Sequence, residues 1–253
     1  MPRVQIEPME WSTEFVPFME DNWRQGEHIA VIAPTGEGKS TFTGGLMAVR
    51  RYVLVLDVKG GDSTLDGLGF PRLTSWPGKK KIESMLVDND ENNKPSRYVI
   101  GGENRTAADA AKLKSTIEAT LRDAYEMGGF TVNADELQLL TDPRFMNLRE
   151  HVDKILIAAR DRRISFVGSY QAPSWVTPHA SKQATWVAVA YTRDTDVVNR
   201  LAEILGRPKS EIRGAVEGLD KHHFIVANRN PREPLRLTMP DYIPPKRSSE
   251  DAK

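Results

Sequence analysis

The segment Ala33-Pro34-Thr35-Gly36-Glu37-Gly38-Lys39-Ser40-Thr41 constrains this chain more than any other. Glycines let successive backbone N–H groups converge on one point, and a lysine followed by a hydroxyl residue completes a cradle for phosphate. The flanks supply the context such a loop requires. His28-Ile29-Ala30-Val31-Ile32 is a short apolar run that reads as a buried strand, and residues 39–50 suit a helix. A helix that starts at the loop adds unpaired N–H groups and the positive end of its dipole. The pattern calls for glycine at its first position; Ala33 stands there, and Gly36 adds freedom inside the loop. The N–H groups of residues 36–40 are expected to face the β-phosphate of a nucleotide. Lys39 is expected to reach the β- and γ-phosphates, and Ser40 to hold magnesium through its hydroxyl. Pro34, Thr35, Gly36, Glu37, Gly38, Lys39, Ser40 and Thr41 are thus the expected contacts of ATP, with Mg2+ as the metal.

A phosphate loop of this kind needs an acidic residue from another strand. Phe130-Thr131-Val132-Asn133-Ala134-Asp135-Glu136 supplies two. Asp135 is expected to ligate magnesium, directly or through water, and Glu136 to polarise the attacking water as general base. An aspartate at a strand end also suits a helix N-cap, which is the plainer alternative. Asn133 interrupts the apolar run without an evident reason. Asp57, which ends the apolar run Tyr52 to Leu56, is a rival metal carboxylate, but no second acid follows it. It reads better as a residue that supports the ligands from behind or senses nucleotide. Ile164 to Gln171 is another strand, and Gln171 at its end can hydrogen-bond both the γ-phosphate and the attacking water. Arg160, Arg162 and Arg163 come just before it. Arg162 is the first choice for an arginine that stabilises the transferring phosphoryl group of a neighbouring subunit, with Arg193 a second candidate. A basic helix end matched to the dipole is the alternative.

The 253 residues carry 35 basic and 35 acidic side chains, so net charge neither argues for nucleic acid nor forbids it. Without cysteine there are no disulfides, thiolate zinc sites or cysteine nucleophiles. No apolar run approaches the about 18 residues that a spanning helix needs, and the N-terminus is unlike a secretory signal. A cytoplasmic protein without membrane insertion is the expectation. Residues 1–27 read as a lead-in, with Trp11, Phe15, Phe18 and Trp23 packing on the domain or forming a lid over adenine. Residues 28–243 read as one P-loop domain and residues 244–253 as a disordered tail. Residues 88–96 read as an exposed loop, residues 107–126 and 146–162 as helices, and 195–205 as a further helix. His222 and His223 fall in a strand-like run. Strands alternating with helices imply an α/β fold, a mainly parallel sheet flanked by helices on both faces, in the RecA-like (ASCE) arrangement of P-loop NTPases.

Taken in order, the P-loop, Val55-Leu56-Asp57-Val58-Lys59-Gly60, Ala134-Asp135-Glu136, the arginine-bearing helix running into Ser169-Tyr170-Gln171-Ala172-Pro173-Ser174, and Val187 to Arg193 before a helix ending at Gly206 resemble the FtsK/HerA superfamily of DNA-pumping ATPases. The resemblance covers about residues 26–240. It implies a homo-oligomeric ring, a pentamer or hexamer, that moves double-stranded DNA by hydrolysing ATP. A bare motor domain is similar to viral genome-packaging ATPases, which would add a capsid portal as partner. Lys79-Lys80-Lys81, residues 101–106 and the loop at 172–183 are candidate DNA contacts. A nucleotide kinase, a switch or assembly factor that moves no DNA, and a soluble conjugation or secretion ATPase are the competing classes.

Overall fold

The computed structural model describes residues 5–243. The expected tail at 244–253 lies outside the described residues. Ile6–Pro8 (β1) and Val16–Asn22 (α1) lead into His28–Ile32 (β2) and, beyond the phosphate loop, Lys39–Leu46 (α2). Tyr52–Leu56 (β3), the short Ser63–Asp66 (α3) and Arg72–Leu73 (β4) come next, then Lys79–Glu91 (α4), Ser96–Ile100 (β5), Ala107–Met127 (α5) and Thr131–Ala134 (β6). Leu137–Thr141 (α6), Arg149–Arg162 (α7), Ser165–Tyr170 (β7), Pro178–Lys182 (α8) and Ala184–Val189 (β8) follow. Thr195–Leu205 (α9), Lys209–Val216 (α10), Phe224–Asn228 (β9) and Leu235–Thr238 (β10) complete the order.

The strands form one sheet in the order β1-β10-β9-β8-β2-β7-β6-β3-β5-β4. β9 runs against both neighbours, and every other pairing is parallel. β7 separates β2 from β6, with Ile32 opposite Tyr170 and Ala134 opposite Gly168. Side chains alternate between the two faces of a strand. Ala30, Ile32, Leu54, Leu56, Val132 and Ala134 therefore join one core, shared with α5, α7 and α9. Ile29, Val31, Val53, Val55 and Val167 join the other, with Phe42 and Leu46 of α2. Each fully buried Val, Leu, Ile or Phe among them contributes about 1.5–3 kcal/mol, so the central strands are held from both sides.

Trp11, Phe15 and Trp23 are buried in that second core. The Trp11 and Phe15 rings stack at 5.1 Å and lie 5.3 and 6.0 Å from the Phe42 ring of α2. These aromatics therefore brace the phosphate-loop helix from beneath and form no lid. β1 pairs with β10, opposite Leu235 to Leu237, at one edge of the sheet.

Local signals explain the helix ends. Thr106 and Asp109 make reciprocal side-chain to backbone bonds, 3.1 and 2.9 Å, at the start of α5. Asp194 accepts from the N–H groups of Asp196 and Val197 to begin α9, and Gly206 in the left-handed region ends it. The loop expected at 88–96 is confined to residues 92–95. α4 runs through Glu91, a turn with Asn93 at φ 52° follows, and β5 starts at Ser96. The polar run misleads because its side chains are tethered: Asp90 accepts from Arg51 and Tyr52 at 2.8 and 2.6 Å, and Asn89 donates to Ser96 and Tyr98. Among the described residues, no helix is long and apolar enough to cross a membrane.

Candidate active site

The C-terminal ends of β2, β7, β6 and β3 are neighbours, so Ala33, Gln171, Asp135 and Asp57 leave the sheet at one edge. Ala33 N–H still donates to the Tyr170 carbonyl at 3.2 Å; the loop then lifts away. Gly36 and Gly38 take φ of 86° and 85°, a region that side chains with a Cβ rarely enter, and α2 starts at Lys39. Pro34, Thr35 and Gly36 are exposed, and Glu37 to Thr41 are half-buried. Lys39 Nζ donates to the carbonyls of Ala33 and Pro34 at 2.8 and 3.0 Å, so the lysine is folded across its own loop. Burial lowers its pKa, against the pull of Glu136 and Asp135. Lysine and carboxylates thus share one electrostatic field.

Asp135 and Glu136 are buried. Burial pushes the Asp135 carboxyl up to about 6, while the Ser40 hydroxyl and the Lys59 ammonium pull the other way. Asp135 Oδ1 and Glu136 Oε1 are buried without a protein partner. The other oxygens face Lys59, whose Nζ lies 3.2 Å from Glu136 Oε2 and 4.0 Å from Asp135 Oδ2. Burial would lower the Lys59 pKa, but Asp135 and Glu136 outweigh it and the net direction is up.

Among the described residues, no three His, Cys, Asp or Glu side chains gather as a self-sufficient metal centre. Magnesium does not need one, because it commonly takes one or two protein oxygens together with phosphates and water. Ser40 beside Asp135, with Asp135 Oδ1 free, fits that requirement.

Asp57 does not offer a metal ligand. Its carboxylate accepts from the N–H groups of Gly60, Gly61 and Asp62 at 2.9, 2.8 and 3.1 Å, and from Arg72 at 2.7 Å. It pins the turn after β3 instead. Gln171 sits half-buried at the end of β7, between the phosphate loop and Asp135–Glu136. Asn133, two residues before Asp135, is fully buried, and neither amide atom has a protein partner.

The structure brings Arg193 to this edge, but not the arginines of α7. Arg160, Arg162 and Arg163 are exposed at the end of α7, where β7 begins, so they mark the opposite edge of the sheet. Arg162 lies over the Tyr125 ring at 5.1 Å. Arg193 follows the end of β8, which runs parallel to β2, so it leaves the sheet at the phosphate-loop edge, exposed and over Tyr191 at 5.7 Å. Of the candidate DNA contacts, Lys79 opens α4 and pairs with Glu126 at 3.3 Å, and residues 101–106 leave β5 at the phosphate-loop edge.

Two residues at the site, Lys59 and His222, escaped sequence reasoning. His222 belongs to a turn before β9, not to the strand, and takes φ of 67°. Its N–H donates to Glu37 Oε2 at 3.4 Å, and its imidazole stands over Gly38, 3.2 Å from where a Cβ would lie. The turn residues Gly218 and Asp220 just upstream were the available signal.

The sheet order, with β7 between the phosphate-loop strand and the acidic strand, defines an α/β fold of the P-loop NTPase class. No protein-family model matches the chain. The fold is similar to that of B204, the DNA-packaging ATPase of Sulfolobus turreted icosahedral virus, with a TM-score of 0.55 and 16% identity over 87% of this chain and 100% of that one. The genome-packaging NTPase B204 of Sulfolobus turreted icosahedral virus 2, bound to ATP-γS, gives a TM-score of 0.57 at 14% identity, over 86% and 99%. The bacterial conjugative coupling protein TrwB, without its first 70 residues, gives 0.51 at 10%, over 88% and 86%. The fold expected from the FtsK/HerA resemblance is therefore the one observed. In sequence, 67 residues are 39% identical to the energy-coupling factor transporter ATP-binding protein EcfA1 of Latilactobacillus sakei, covering 26% of this chain. The match spans about a fifth of that relative's length.

Proposed function

We propose that the chain hydrolyses ATP with magnesium and, as a homo-oligomeric ring, translocates double-stranded DNA, as in the packaging of a viral genome. One observation carries the reading: Lys39 and Ser40 meet the buried Asp135–Glu136 pair at one sheet edge, with Gln171 between them. Lys39 exchanges the Ala33 and Pro34 carbonyls for the β- and γ-phosphates. Ser40 and Asp135 would hold magnesium, which neutralises phosphate charge when bound. Glu136 takes a proton from the attacking water through Oε1, the oxygen without a partner. Gln171 orients that water. The exposed Arg162, on the far edge from its own phosphate loop, suits the nucleotide of an adjacent copy, as assembly into a ring of five or six subunits would require. The likeness to B204, a DNA-packaging ATPase, supports DNA as the cargo; a capsid portal would then be the docking partner.

ATP hydrolysis by the purified chain, with and without long double-stranded DNA at low salt, tests the proposal, with oligomeric state measured by light scattering in the same sample. DNA-stimulated turnover that Lys39→Ala abolishes is the expected result. Hydrolysis indifferent to DNA in an assembled ring would refute the motor and favour an ATP-dependent switch or assembly factor. An unchanged rate in Lys39→Ala would remove the phosphate-loop assignment itself.

A further inference from the structure

Asp135 and Glu136 bring two carboxyl groups into a buried site, and the only cation within salt-bridge distance of either among the described residues is Lys59. Lys59 does not arrive there on a loose loop. The turn that carries it is fixed at both ends. Asp57, at the close of β3, gathers three successive N–H groups and the Arg72 guanidinium. Gly60 takes φ of 78°, and a Cβ there would stand 2.6 Å from the Gly102 carbonyl oxygen and 2.7 Å from Asn104 Cβ. The backbone is therefore clamped against the β5 loop, and the Lys59 side chain is aimed across the edge of β6.

The contact is asymmetric. Lys59 holds one oxygen of Glu136, Oε2, and leaves Oε1 buried and unpartnered. A carboxylate held by one oxygen has a fixed plane, so the free oxygen points in one direction. The same ammonium lies 4.0 Å from Asp135 Oδ2, within the distance at which a like charge strongly opposes a divalent cation.

Resting on the ATPase reading above, we infer that Lys59 is a positioning residue of the active site: it orients Glu136 toward the attacking water and keeps a bare divalent cation from Asp135 until nucleotide phosphates share the metal's charge. Lys59 acts through Glu136 and Asp135 and does not itself touch the reacting atoms. The metal consequently enters with the triphosphate, and the two carboxylates stay held while the site waits.

The test compares the full-length wild type with Lys59→Met and Lys59→Arg. Mn2+ binding to nucleotide-free protein is followed by electron paramagnetic resonance, and kcat and KM for ATP are measured in parallel. In Lys59→Met, Mn2+ should bind about tenfold more tightly, since a positive charge beside the ligand is gone. Its kcat should fall about tenfold to a hundredfold with KM nearly unchanged, a part of what a general base contributes. Lys59→Arg should restore the wild-type Mn2+ affinity and much of kcat. Unchanged Mn2+ affinity in Lys59→Met, or an unchanged kcat, would overturn the inference even though wild-type hydrolysis upheld the ATPase. A wild type that does not hydrolyse ATP would refute the functional reading instead, and the Mn2+ comparison would still decide whether Lys59 guards Asp135.

Discussion

His28 offers a test of how the sheet is locked to α7. The imidazole is buried at the start of β2. Its Nδ1 accepts from the Phe166 N–H at 3.0 Å, so Nε2 carries the proton and donates to the Leu156 carbonyl at 3.1 Å. Burial lowers its pKa from 6.5 to about 4; the Leu156 carbonyl opposes this and nearby Arg160 adds to it. A second proton would have to sit on Nδ1, facing an N–H donor. Because the folded state resists a proton that the unfolded chain accepts, the stabilisation is complete above pH 6.5 and is lost as pH falls toward 4. At about 1.4 kcal/mol per pH unit, the loss is about 1.4 kcal/mol by pH 5.5 and about 3 kcal/mol by pH 4. Asp135 works in the opposite direction across part of this window. Its carboxyl is raised to about 6, so it adds stability as pH falls through 6, and a wild-type curve alone would mix the two. The assay is therefore urea unfolding of wild type and His28→Gln at pH 7, 5.5 and 4.5. The variant should be less stable at pH 7, and the gap should close by about 1.4 kcal/mol at pH 5.5. A gap that stays constant with pH would refute the buried, neutral histidine.

Glu136→Gln should keep ATP binding, measured by a fluorescent analogue, and lose turnover at least a hundredfold; retained turnover would assign the base elsewhere. His222→Ala should weaken ATP about tenfold, the value of one charge-assisted hydrogen bond, and equal affinity in calorimetry would mean that the turn only shields the loop. Gly60→Ala should cost about 2 kcal/mol or more in urea unfolding, because the Cβ meets the Gly102 carbonyl at a positive φ. Its kcat should fall alongside that of Lys59→Met, since the lysine loses its aim.

Local structure carried by neighbouring residues was legible in the sequence. The strand, the glycines and the helix around Lys39 are contiguous, so one segment shows them together. The helix at 195–205 was readable from Asp194 before it and Gly206 after it. What long-range contacts decide was not legible. The polar residues 88–91 belong to a helix because Arg51, Tyr52 and Tyr98, distant in sequence, satisfy them. Asp57 looked like a possible metal ligand because the sequence does not reveal that Arg72 occupies it. Lys59 and His222 reach the site from turns whose direction depends on backbone conformation, and no periodic pattern records that.

The placement of β7 has a consequence in plain dimensions. Adjacent strands lie about 4.8 Å apart, so the strand carrying the phosphate loop and the strand carrying the acids stand about 10 Å apart across β7. Side-by-side strands would leave half that width, too narrow for a phosphoryl group and a water molecule in line between lysine and glutamate. The intervening strand works as a spacer of fixed gauge, and its last residue, Gln171, lies on the floor of the gap it creates.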